Sequence, residues 1–161
     1  MMALTNVWAV KKVDLSAFDG NYTGNGSLTI QEFSNPLTAE VKFDVARNGR
    51  RSKVTISGII AEGATPWETT LRLKKKRKMK TNNVSGIDFG PGIFPAAGKY
   101  KVRRKSKLES TAVTRGTTPV MEQKVSMDVK PKGRRKELTG TIAVFFDGVE
   151  FAAYRFTATG K

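Results

Sequence analysis

The sequence predicts a mainly β, antiparallel, single-domain protein built from hairpins, on three observations. Apolar and polar residues alternate with period two along most of the chain, tight-turn residues punctuate that alternation, and no segment carries a convincing helical stripe. The 161 residues suit one domain, residues 1–161, and are enough for a substantial core.

Residues 7–13 read as a first strand. Asp19-Gly20-Asn21 and Gly24-Asn25-Gly26 read as turns, because Gly and Asn tolerate positive φ. Leu28 and Ile30 then alternate with Thr29 and Gln31. After Asn35-Pro36 comes the cleanest strand, with Ala39, Val41, Phe43 and Val45 on one face and Glu40, Lys42 and Asp44 on the other. Asn48-Gly49 is a hairpin signal, and Val54, Ile56, Gly58 and Ile60 mark the return strand. Residues 63–66 break the pattern. Trp67 opens a strand running from 68 to about 80, and residues 81–98 form a long irregular stretch rich in Gly and Pro.

The next strand spans 99–108, and 114–119 is a loop. Val125, Met127 and Val129 alternate with Ser126 and Asp128. Pro131-Lys132-Gly133 turns the chain, 138–146 runs back, and Asp147-Gly148 leads into a last strand over 150–159. Arg134 to Leu138 would suit a helix start, but Thr139, Gly140, Thr141 and Ile142 favour a strand. The C-terminal segment is therefore expected to be a hairpin. Val41–Val45 with Gly49 and Arg50-Arg51 echoes Val125–Val129 with Gly133 and Arg134-Arg135. Duplication would explain the echo, but two ordinary hairpins with basic tips are the preferred reading.

Lys and Arg number 29 against 14 Asp and Glu, a net charge of +15. That imbalance predicts attraction to phosphate-rich partners and sensitivity to salt. Cysteine and histidine are both absent. No disulfide or thiolate nucleophile is available, and the commonest general base and metal ligand are missing. The expectation is no enzyme, no catalytic residue, no metal and no cofactor. No apolar run approaches the roughly 18 residues that a membrane helix needs, and Met1-Met2-Ala3-Leu4-Thr5-Asn6 does not read as a signal peptide. No membrane partner is expected.

The strongest physical signal is a pair of cationic stripes. Arg72, Lys74, Lys76, Lys78 and Lys80 share one face of the strand over 68–80. Lys99, Lys101, Arg103, Lys105 and Lys107 share one face of the strand over 99–108. Alternate side chains of a strand stand about 6.7 Å apart. Like charges in such a row repel unless negative charge lies alongside, and two rows make a positive surface suited to a phosphate backbone. The expected phosphate contacts are Arg72, Lys74, Lys76, Lys101, Arg103, Lys105 and Lys107. A solvated outer face with lysines blunting an edge is the plainer alternative. Lys75, Arg77 and Arg104 interrupt the alternation, so one end of each strand is expected to project beyond the core. Trp67, Tyr100 and Tyr154 could stack on bases, although core packing is the preferred reading.

Lys99-Tyr100-Lys101-Val102-Arg103-Arg104-Lys105 is followed by Gly116-Thr117-Thr118-Pro119-Val120, by the alternation over 125–129, and by Arg135-Lys136-Glu137-Leu138-Thr139-Gly140. Ala3-Leu4-Thr5-Asn6 stands near the N-terminus. In this order and spacing the chain resembles the coat proteins of single-stranded RNA bacteriophages. The resemblance covers a minority of the chain. It implies a capsid subunit with an antiparallel sheet whose inner face binds genomic RNA. It further implies homodimers paired edge to edge and assembled into a shell, made in the host cytoplasm and ending in the virion. The chain departs from that family in its C-terminal hairpin, where two helices are usual, and in an extra hairpin over 39–60. Two alternatives stand beside it. One is a non-viral nucleic-acid-binding β module. The other is a lipocalin-like closed barrel for a small ligand, with Gly20-Asn21-Tyr22 as its opening; Lys75, Arg77 and Arg104 argue against it.

Overall fold

A computed structural model describes residues 13–45, 51–58, 67–74, 78–85, 96–114 and 120–161. Its strands are β1 (Gly20–Ile30), β2 (Phe33–Asp44), β3 (Arg51–Gly58), β4 (Trp67–Lys74) and β5 (Lys78–Ser85), then β6 (Ala96–Arg103), β7 (Lys107–Val113), β8 (Met121–Lys132), β9 (Arg135–Phe146) and β10 (Val149–Gly160). Each pairs antiparallel with its neighbours in sequence. β10 returns to β1, from Tyr22 opposite Gly160 to Ile30 opposite Ala152, and the meander closes into a barrel. The mainly β, antiparallel, hairpin-built fold and the C-terminal hairpin are as the sequence predicts.

The alternating residues supply the interior. Leu37, Ala39, Val41 and Phe43 of β2 face inward with Val54 and Ile56 of β3 and Leu71 and Leu73 of β4. Tyr100, Leu108, Val125, Met127, Leu138, Ile142, Tyr154 and Phe156 complete the core from the other side. Ten strands enclose a wide bore, and large side chains such as Tyr22, Tyr154, Phe18 and Phe43 are buried in it. A short 3-10 helix, Ser16–Phe18, plugs one end. Phe18 is fully buried and stacks on Phe43 at 5.1 Å between ring centroids. The Tyr22 hydroxyl donates to the Phe18 carbonyl at 2.8 Å. Lys136 Nζ donates to the Ala17 and Asp19 carbonyls.

Several expectations need correction. Gly24-Asn25-Gly26 is no turn but the middle of β1. A Cβ at Gly24 would strike the Thr157 carbonyl of β10, and one at Gly26 would lie 2.6 Å from the Arg155 carbonyl. These glycines let the two closing strands press together at a barrel corner. The strand over 68–80 is two strands, β4 and β5, and the one over 99–108 is also two, β6 and β7. Part of the supposed irregular stretch belongs to β5 and β6; residues 86–95 lie outside the described residues, as do residues 7–12 of the proposed first strand. Lys75, Arg77 and Arg104 do not prevent closure. Arg104 occupies the β6–β7 turn, off the wall, and Lys75 and Arg77 lie outside the described residues. Closure gives every described strand a neighbour on both sides, although the β5–β6 ladder covers only Lys78–Thr81 and Ala96–Lys99.

Candidate nucleic-acid interface

Strands alternate in direction, so successive turns fall at opposite ends of the barrel. The strand ends Asp44 and Arg51, Lys74 and Lys78, Arg103 and Lys107, and Lys132 and Arg135 share one end. Arg104, Lys105, Arg134 and Arg135 stand exposed there. At the opposite end, the exposed residues of the described turns include Glu32, Asp147 and Glu150, together with Phe33, Val120 and Val149. Among the described residues the charge is thus polarised along the barrel axis, with Asp14, Asp19 and Asp44 as exposed acids at the basic end.

Register concentrates it further. Arg51 stands opposite Lys74, and Lys53 opposite Arg72. Arg72 in turn stands opposite Lys80, Lys78 opposite Lys99, and Arg103 opposite Lys107. Five directly opposed like-charge positions therefore follow one another across β3 to β7. Such pairing destabilises a sheet, and Lys53, Arg72, Lys99, Arg103 and Lys107 are exposed on the outer wall, where a hydrophobic-in, polar-out pattern would tolerate any polar residue.

The sequence-predicted residues distribute as follows. Arg72 is exposed on β4, and Lys74 ends that strand half-buried, its carbonyl accepting from the Tyr100 hydroxyl at 2.9 Å. Lys76 lies outside the described residues. Lys101 and Arg103 are exposed on β6, Lys107 on β7, and Lys105 in the turn between them. β4 and β6 are separated by β5 alone, so the two predicted stripes share one wall. Neither stripe is one strand long, since each folds back at its cationic run. Lys53 is exposed on the basic wall and Lys124 on the adjoining β8, and both lie outside the predicted stripes. The signal for Lys53 is its position opposite Arg72, which needs the register; Lys124 stands opposite Thr111 and Ala143 and pairs with Glu122 at 3.6 Å. Tyr100 and Tyr154 are core residues, the latter donating to the Thr38 carbonyl at 3.2 Å.

The β6–β7 turn is strained. Ser106 N–H donates to the Arg103 carbonyl at 3.2 Å, and Arg104 and Lys105 between them both have positive φ, 52° and 59°. Asn-Gly suits this primed turn, whereas a residue with a longer side chain is disfavoured there. Lys105 also reaches Asp14 at 3.9 Å.

Glu109 is the one acidic residue in β6 and β7. Its Oε2 lies 3.3 Å from Lys101 Nζ and 3.9 Å from Arg103 Nε, and its Oε1 lies 3.8 Å from Lys107 Nζ. The hydrogen bond from Lys101 leads the causes that hold its carboxyl below the usual carboxylate range, and the nearby cations add to it. Beside this cluster runs an open groove of about 650 Å³ on the outer wall of β6 to β9. Lys99, Lys101 and Lys124 border it, with Ser126, Thr141 and Ala143 among the short side chains of its floor. Lys124 Nζ also stands 4.8 Å from the centre of the Phe145 ring. Among the described residues, no group of three acids lies close enough to hold a metal, and no helix is long and apolar enough to cross a membrane. Comparisons with family models, curated proteins and solved structures find no match.

Proposed function

We propose that the protein is a binding protein for RNA, gripping phosphates with the outer wall of β3 to β7 and the turns at its basic end. The observation that carries this reading is the succession of directly opposed like charges, Arg51 with Lys74, Lys53 with Arg72, Arg72 with Lys80, Lys78 with Lys99, and Arg103 with Lys107. Directly opposed like charges lower the stability of a sheet; Glu109 offsets this between Arg103 and Lys107, and a phosphate backbone laid across the wall offsets it for the other pairs. The strained Arg104-Lys105 turn supports the same reading, because residues that ease the turn would remove two cations from its tip. The chemistry is electrostatic and needs no general base, consistent with a chain that has no histidine or cysteine.

The test is the salt dependence of binding to a labelled oligoribonucleotide. The slope of log affinity against log salt should flatten by about one unit for every phosphate that a variant no longer neutralises. The Lys101→Ala, Arg103→Ala, Lys105→Ala triple variant is expected to flatten it accordingly. An unchanged slope removes these residues from the interface.

A capsid subunit is a second reading, favoured by the order of motifs from Lys99 to Gly140. In a closed barrel, shell contacts would have to come from surfaces other than strand edges. The exposed Phe33, Val120 and Val149, at the end opposite the basic one, suit that task. Negative-stain microscopy of the purified protein, with absorbance at 260 nm of the same fraction, separates the readings. Particles tens of nanometres across that carry RNA favour the coat; a monomer or small oligomer favours the non-viral module.

A further inference from the structure

We infer that Glu109 is a built-in stand-in for phosphate: its carboxylate occupies, in the free protein, the seat that a phosphodiester of bound RNA takes over. The inference rests on the RNA-binding reading above. Lys101 stands directly opposite Glu109 on β6, and Arg103 and Lys107 flank it, one on each strand of the hairpin. All three converge on the one carboxylate, at 3.3, 3.9 and 3.8 Å.

Three cations around a single negative charge leave the cluster with a local excess of two positive charges. The cluster is also open to solvent, since the side chains of Lys101, Arg103 and Lys107 are 51 %, 60 % and 46 % exposed. A phosphodiester presents two anionic oxygens that accept from Lys and Arg much as a carboxylate does. Lys101 and Glu109 of the cluster also line the groove that Lys99 and Lys124 border, giving the rest of the strand a course along the wall.

A carboxylate in a phosphate-binding wall otherwise opposes binding. As a stand-in it keeps three like charges gathered while the seat is empty. It also sets a threshold, because an incoming anion must displace it. Glu109 remains ionised at neutral pH, the cations around it holding its carboxyl below the usual range, so the competition operates under ordinary conditions.

Removing any acidic charge strengthens attraction to RNA at long range, so the test compares two variants of equal charge change. Glu109→Gln empties the stand-in position. Glu32→Gln removes a carboxylate from the exposed turn at the opposite end. Affinity for a labelled oligoribonucleotide is measured by fluorescence anisotropy at fixed moderate salt, for wild type and both variants. Glu109→Gln is expected to bind about fivefold tighter than Glu32→Gln, the order of magnitude for one unit charge at contact distance in water. If wild type binds RNA and Glu109→Gln is no tighter than Glu32→Gln, the stand-in role is overturned and RNA binding stands. If no form binds RNA, both fall together.

Discussion

Tyr22 ties the plug of the barrel to its wall through one hydroxyl, donated to the Phe18 carbonyl at 2.8 Å. Burial pushes its pKa up to about 12, and the charge of Asp19 adds to the shift. The fold therefore favours the neutral phenol. That contribution is complete below the ordinary tyrosine pKa of about 10 and is lost as pH rises from there through about 12. Alkaline unfolding in that window is expected, followed by far-UV circular dichroism together with tyrosinate absorbance at 295 nm. Tyr22→Phe should lose about 1 kcal/mol at neutral pH and be less sensitive to alkali; equal sensitivity would assign the transition elsewhere. Arg104 and Lys105 make the opposite kind of residue-scale case, holding their charge at the expense of backbone strain. Arg104→Asn with Lys105→Gly should raise stability by roughly 1–2 kcal/mol in a denaturant titration while weakening RNA binding. A variant that binds RNA as tightly as wild type would leave the strain without a function.

At the level of the element, legibility follows turn chemistry. β8, β9 and β10 can be read from the sequence because Gly133 and the Asp147-Gly148 pair adopt the positive φ that their residue types accept. The β6–β7 turn cannot, since Arg-Lys carries no turn signal, and β4 and β5 read as one strand for the same reason. Gly24 and Gly26 mislead the other way. They look like a turn because a strand glycine that makes room for a neighbouring backbone has the same letter as a turn glycine. The β5–β6 ladder is short, running from Lys78 opposite Lys99 to Thr81 opposite Ala96. It also joins cation to cation, so it is the weakest described seam of the barrel. Amide hydrogen exchange there should be faster than in β8 to β10, and added RNA should slow it. Exchange in β5 and β6 that RNA leaves unchanged would place the bound strand elsewhere.

For the molecule as a whole, the sequence displays two faces but not curvature. Alternation at Val41, Phe43, Val125 and Met127 says which side chains go inward; it is the same for a flat sheet and for a barrel. Only the pairing of Tyr22 through Ile30 with residues near the opposite terminus closes the wall. The basic stripes are legible as residues, while their opposition across five strand positions needs the register. Closure by the first and last strands has a consequence for synthesis. Until the ribosome has released residues 149–160, the nascent sheet has two unsatisfied borders and a core open on one side. β1 alone must wait for a partner nearly a full chain length away, which makes locking late and slow. Mutual repulsion among the cations that crowd β3 to β7 would keep such half-made sheets from joining one another in the meantime.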